Sequence, residues 1–88
     1  MEAVVITDHA KTQMARRGIT ESLVREVLYR REEIIDLRPG RAVIQGTARM
    51  GDPPRDYLLR VFVDTDREPP EVATVYRTSK IDKYRSRT

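Results

Sequence analysis

Cysteine and tryptophan are missing from this 88-residue sequence, and histidine and phenylalanine occur once each. Without cysteine there are no disulfides and no thiolate chemistry, and a single histidine makes a protein-built zinc site a poor expectation. No metal and no cofactor are expected. No apolar run approaches the ~20 residues that cross a bilayer, and no charged-then-apolar leader is visible, so a cytoplasmic protein without a membrane partner is expected. Paired catalytic carboxylates, a glycine-rich phosphate loop and nucleophile–base spacings are also lacking, which leaves most hydrolase and kinase classes without support. With no repeat, low-complexity stretch or linker, residues 1–88 read as one domain with a single modest core.

What is present is charge, unevenly placed. Charged residues make up 35% of the chain against 39% hydrophobic, the balance of a globular domain of marginal stability. The net charge of +3 is carried by the end: Arg77, Lys80, Lys83, Arg85 and Arg87 stand against Asp82 alone, leaving the other residues about neutral. Arginine outnumbers lysine fourteen to three, and its planar fork suits phosphate. A basic end on a neutral body fits an anionic partner, nucleic acid or an acidic protein, as well as it fits a solubilising tail.

The periodicity defines the elements. Val4-Val5-Ile6 is either a leading strand or an apolar segment packed on the core. Thr7 or Asp8 caps a helix through His9–Arg17, stopped by Gly18, in which His9, Thr12, Gln13 and Arg16 share a polar face. Thr20 caps a second helix from Glu21 to Arg31, with Leu23, Val24, Val27 and Leu28 facing a core and Ile19 as a staple. Glu33–Arg38 reads as a strand, Pro39-Gly40 as a turn, and Arg41–Met50 as a strand with Ala42, Ile44, Ala48 and Met50 inward. Gly46 interrupts that series, at a bulge or a close approach. Tyr57–Val63 and Val72–Thr78 form a hairpin around the proline-broken loop 64–71, with Ala73 and Val75 inward. Ile81 and Tyr84 are spaced for a further helical turn. The resulting expectation is an α+β domain: two N-terminal helices on one face of an antiparallel sheet of about four strands, with the other face open.

On that open face Arg41, Gln45 and Arg49, then Leu58, Arg60 and Phe62, then Thr74, Tyr76 and Thr78 stand ~5 Å apart across strands. Arg60 occupies a mid-strand position where an apolar residue is the ordinary choice. It either pairs with Asp36 or Asp64 or meets a phosphate. Phe62 and Tyr76 either stack on bases or pack on each other, and Tyr76 has a proton to donate. Thr74 either bonds a phosphate oxygen or simply favours the strand. His9 is the one side chain whose ordinary pKa (~6.5) suits acid–base work near neutrality.

His9-Ala10, Arg16-Arg17-Gly18-Ile19-Thr20, Glu32-Glu33-Ile34-Ile35, Gly40-Arg41 and Val72-Ala73-Thr74-Val75-Tyr76-Arg77, in that order, resemble a small prokaryotic family catalogued as a domain of unknown function, number forty-two fifty-eight. Arg31 stands where that family usually has proline. The family in turn resembles the metal-independent ribonuclease group of RelE-like toxins, barnase and colicin nucleases. The resemblance implies a RelE-like fold and a toxin-like endoribonuclease in which the RNA 2′-hydroxyl attacks its own phosphate. It casts His9 as acid or base, Arg41 and Arg60 as phosphate clamps, and Thr74 and Tyr76 as final-strand contacts; with the open face and the basic end, the expected catalytic residues are His9, Arg60 and Tyr76, and the expected RNA contacts Arg41, Gln45, Thr74, Arg77, Lys80 and Lys83. It also implies a cognate antitoxin as partner. Two other readings stand beside it: a non-catalytic RNA- or protein-binding module of the same fold, and pairing through an edge strand with an antitoxin or a second copy.

Overall fold

The structure, a computed structural model, describes residues 3–85. The elements run β1 (Val5–Ile6), α1 (Asp8–Arg16), α2 (Glu21–Arg30), β2 (Glu33–Arg38), β3 (Arg41–Met50), β4 (Arg55–Asp64), β5 (Glu71–Thr78) and α3 (Ile81–Tyr84). The sheet has five strands in the order β1-β5-β4-β3-β2. It is mixed, because β1 lies parallel to β5, with Val5 opposite Glu71 and Ile6 opposite Val72. The expected four-stranded antiparallel sheet is therefore corrected by one parallel edge strand. Two residues are too few to show a period, and their partners lie 66 positions away along the chain.

Both long helices start as their sequences dictate. The Thr7 hydroxyl accepts from the Ala10 amide at 3.2 Å and donates to the Val72 carbonyl at 2.8 Å, so one side chain caps α1 and ties it to β5. Thr20 caps α2 by accepting from the Leu23 amide at 3.2 Å. After α1 the chain turns at Gly18, whose φ of +65° is the left-handed geometry glycine adopts without steric cost. After α2 the same turn falls on Arg31 at φ 46°, a conformation a β-carbon disfavours.

The helices bury Ala10, Met14, Ile19, Val24, Val27 and Leu28 against Ile44, Ala48, Met50, Leu59, Val61, Val63, Val72 and Val75. A fully buried leucine or valine contributes roughly 1.5–3 kcal/mol relative to exposure, so this face supplies most of the fold's stability. The inward residues of β3 and β4 are those the alternation predicts, but in β5 the pattern slips. Val63 pairs with Val72 and Phe62 with Thr74, so Ala73 falls in a bulge and Val72 takes the inward position expected of Ala73. At Gly46 there is no bulge against β4. An added β-carbon would stand 3.3 Å from the Glu32 carboxyl carbon, so the glycine makes room for that acid. β2 forms the far edge, with Ile34 and Leu37 half exposed.

Candidate functional site

The sheet face turned away from the helices is covered in part, contrary to the expectation of an open surface. Val43, Gln45 and Leu58 lie on it and are fully buried, outside the helix-side core. Over Gln45 and Arg60 the cover is the C-terminal segment. It leaves β5 at Thr78, opposite Leu58, and forms the single turn α3. Tyr84 then stacks over Arg60 of β4 while its carbonyl accepts from Gln45 of β3. Arg85 ends on Glu32, just ahead of β2, at 2.7 Å.

Beneath this strap lies one connected polar node. Gln45, Arg60 and Tyr76 are cross-strand neighbours on β3, β4 and β5. The Arg60 Nε–H donates to Gln45 Oε1 at 2.8 Å and an Nη1–H donates to the Tyr76 hydroxyl at 2.5 Å. That fixes the Gln45 amide: its Nε2 donates to Glu33 Oε1 at 2.5 Å and to the Tyr84 carbonyl at 2.9 Å. Three rings surround the Arg60 guanidinium, with Cζ 5.5 Å from the centroids of Phe62 and Tyr76 and 4.7 Å from that of Tyr84. Phe62 and Tyr76 are themselves stacked, 5.7 Å apart at 22°. Cation–π contacts of this kind are worth about 0.5–2 kcal/mol each, rising as water is excluded.

The partners of Arg60 set it apart from the other arginines. Four are half-buried among the described residues: Arg41, Arg60, Arg77 and Arg85. Arg41 places Nε and Nη2 on Asp64 Oδ1 at 2.8 and 2.6 Å, and Arg85 pairs with Glu32. Arg77 faces the helix side, opposite Leu59, with its guanidinium 4.6 Å from the Tyr57 ring. Arg60 bonds to an amide oxygen and a phenol, both neutral, and among the described residues no carboxylate lies within 4.0 Å of it. Neither of its two foreseen acids takes part: Asp64 is held by Arg41, and Asp36 is exposed on β2.

The sequence-predicted site residues thus divide. Gln45, Arg60 and Tyr76 form the node. Arg41 is on the same face but neutralised by Asp64 at its far end. Thr74, cross-strand from Phe62, donates its hydroxyl to the Gln13 amide oxygen of α1. Arg17, the C-cap just past α1, donates to the Val75 carbonyl at 2.5 Å, so the end of this helix covers part of the β5 edge. His9 is exposed one turn before Gln13 and so shares its helix face. Lys80 and Lys83 are exposed on the strap, and Arg77 is on the opposite face from Arg60. Glu33, Gln13 and Tyr84 are the participants that sequence reasoning did not single out. The signals for Tyr84 are its spacing from Ile81 and its place as an aromatic residue inside a basic tail.

A groove of about 490 Å³ lies elsewhere, along β3 beyond the end of β2, lined by Leu23, Glu26, Arg30, Arg49, Asp56 and Ile81. Its charges are matched internally, Arg30 with Glu26 and Arg49 with Asp56, so it offers an ionic ligand less than the Arg60 node does. Among the described residues no group of three or more histidine, aspartate or glutamate side chains is placed to hold a metal ion. No helix of the described residues is long and apolar enough to cross a membrane.

Residues 6–77 match the model of the family described as a domain of unknown function (DUF4258). The chain belongs to this family. The match takes in Gln45, Arg60 and Tyr76, and Tyr84 and Arg85 lie outside the matched residues. No curated protein and no solved structure matches the chain.

Proposed function

We propose that this protein binds single-stranded RNA on the sheet face centred on Arg60. The observation that carries the proposal is the state of that guanidinium: half-buried, ringed by aromatic side chains, and hydrogen-bonded to neutral acceptors. A partly desolvated cation with no carboxylate within 4.0 Å among the described residues gains most from an anionic partner. Phosphate supplies the charge, and the Phe62 and Tyr76 rings supply the stacking, worth about 1–3 kcal/mol per base, that single strands offer and duplexes withhold. Lys80 and Lys83 add exposed positive charge along the strap.

Titration of a labelled single-stranded RNA at stepped salt concentrations tests this reading. Affinity should fall as salt rises, because phosphate contacts release counterions. Arg60→Ala, shown by circular dichroism to be folded, should weaken binding at least about tenfold, the equivalent of ~1.4 kcal/mol. Absence of RNA binding by the wild-type chain overturns it.

A second reading, metal-independent RNA cleavage, is favoured by the Gln13–Thr74 contact, which brings the helix face bearing His9 to the edge of the strand that carries Tyr76. It is also the activity implied by the resemblance to RelE-like toxins, with an antitoxin as the implied partner. A base would take the 2′-hydroxyl proton, the 2′-oxygen would displace the 5′-oxygen at phosphorus, and an acid would protonate the leaving oxygen. RNA products formed in EDTA, and lost in folded His9→Ala and Arg60→Ala variants, would establish it. Intact RNA recovered from a saturated complex would rule it out.

A further inference from the structure

We propose that the segment Ser79–Arg85 is a built-in competitor for this site, with the Tyr84 ring standing where a nucleobase stacks. The inference rests on the RNA-binding reading and specifies how that site is controlled. Tyr84 meets the node with two features a base also has. One is a planar π-face, 4.7 Å from Arg60 Cζ. The other is a carbonyl oxygen, 2.9 Å from Gln45 Nε2. The amide cannot turn over without losing its bond from Arg60 Nε, so the site presents a donor, and its ligand must bring an acceptor on its edge. Uracil and guanine carry such carbonyl oxygens.

The segment is held lightly enough to be exchanged. α3 is a single turn with no buried residue and no side-chain hydrogen bond at its N-cap. Its far end rests on the Arg85–Glu32 pair, whose side chains are 38% and 26% exposed, and pairs so open to water contribute little. The residues beneath are closed off more completely than the cover itself: Gln45 and Leu58 are fully buried while Lys83 and Asp82 lie in solvent. The strap therefore hides a finished surface, and an RNA that stacks on Arg60 displaces Tyr84 from it.

Full-length wild type and Tyr84→Ala distinguish this from a merely structural tail, with two readouts. Without RNA, trypsin cleavage after Lys83 should be several-fold faster in Tyr84→Ala, and faster also in Glu32→Gln, which loosens the far end without removing a positive charge. With a labelled oligouridylate, Tyr84→Ala should bind more tightly. A strap closed in ~90% of molecules lowers apparent affinity about tenfold, and that is the gain expected on removing its plug. An unchanged cleavage rate, or weaker RNA binding by Tyr84→Ala, overturns the inference; the latter would make Tyr84 a ligand contact. If wild type binds RNA and the variant binds equally, the competition alone is wrong. If neither binds, the RNA reading fails, and this inference with it.

Discussion

Helices α1 and α2 close one face of the sheet with valine, leucine, isoleucine and methionine, whereas the seven residues of the strap close part of the other, bringing Tyr84 over an amide and a guanidinium flanked by two further aromatic rings. Both faces contain fully buried side chains, Leu59 and Val61 on one, Gln45 and Leu58 on the other. On the helix side removal from water is itself the driving force. On the strap side every buried polar atom had to be matched, and among the described residues none is left without a partner. A domain of this size needs its apolar face to fold. It does not need a half-buried arginine among aromatic rings, and that residue is where binding is to be sought.

The comparison breaks most sharply with a cavity on the helix side. Leu59→Ala should cost about 2–5 kcal/mol in urea denaturation, a large part of the ~5–15 kcal/mol available to a small domain. On the strap side, Gln45→Ala should cost less, about 1–3 kcal/mol, by orphaning the Arg60 Nε–H and the Tyr84 carbonyl together. A larger loss from Gln45→Ala than from Leu59→Ala would mean that the polar node, and not the helix-side core, holds the fold. Away from both faces, Arg31→Gly relieves the left-handed turn after α2 and should raise stability by about 0.5–1 kcal/mol. Arg49→Ala, at the exposed 4.0 Å pair with Asp56, should change stability by less than about 0.5 kcal/mol.

The helix-covered half was legible in the sequence because its signals are local. Thr7, Thr20 and Gly18 act within a turn of themselves, and the alternation through β3 and β4 is read within each strand. The other half depends on contacts between distant residues. Tyr84 reaches Gln45 across 39 positions and Thr74 reaches Gln13 across 61, and neither separation leaves a periodic trace. The bulge at Ala73 moved an inward position from Ala73 to Val72. Charge alone places Arg77 with the basic tail, although alternation from Val75 points it toward the helices. Within the site, the convergence of Gln45, Arg60 and Tyr76 was readable from strand pairing. The neutralisation of Arg41 by Asp64 was not, because Asp64 had two arginines to choose from and only the register decides between them.

Among the described residues no carboxylate lies within 4.0 Å of Arg60, while Arg41, on the same face, has spent its charge on Asp64. Parallel titrations of one labelled single-stranded RNA with wild type, Arg60→Ala and Arg41→Ala, all verified as folded, test that difference directly. Binding should weaken at least about tenfold on losing Arg60 and by no more than about twofold on losing Arg41. Equal losses from the two variants, or none from Arg60→Ala, would contradict it.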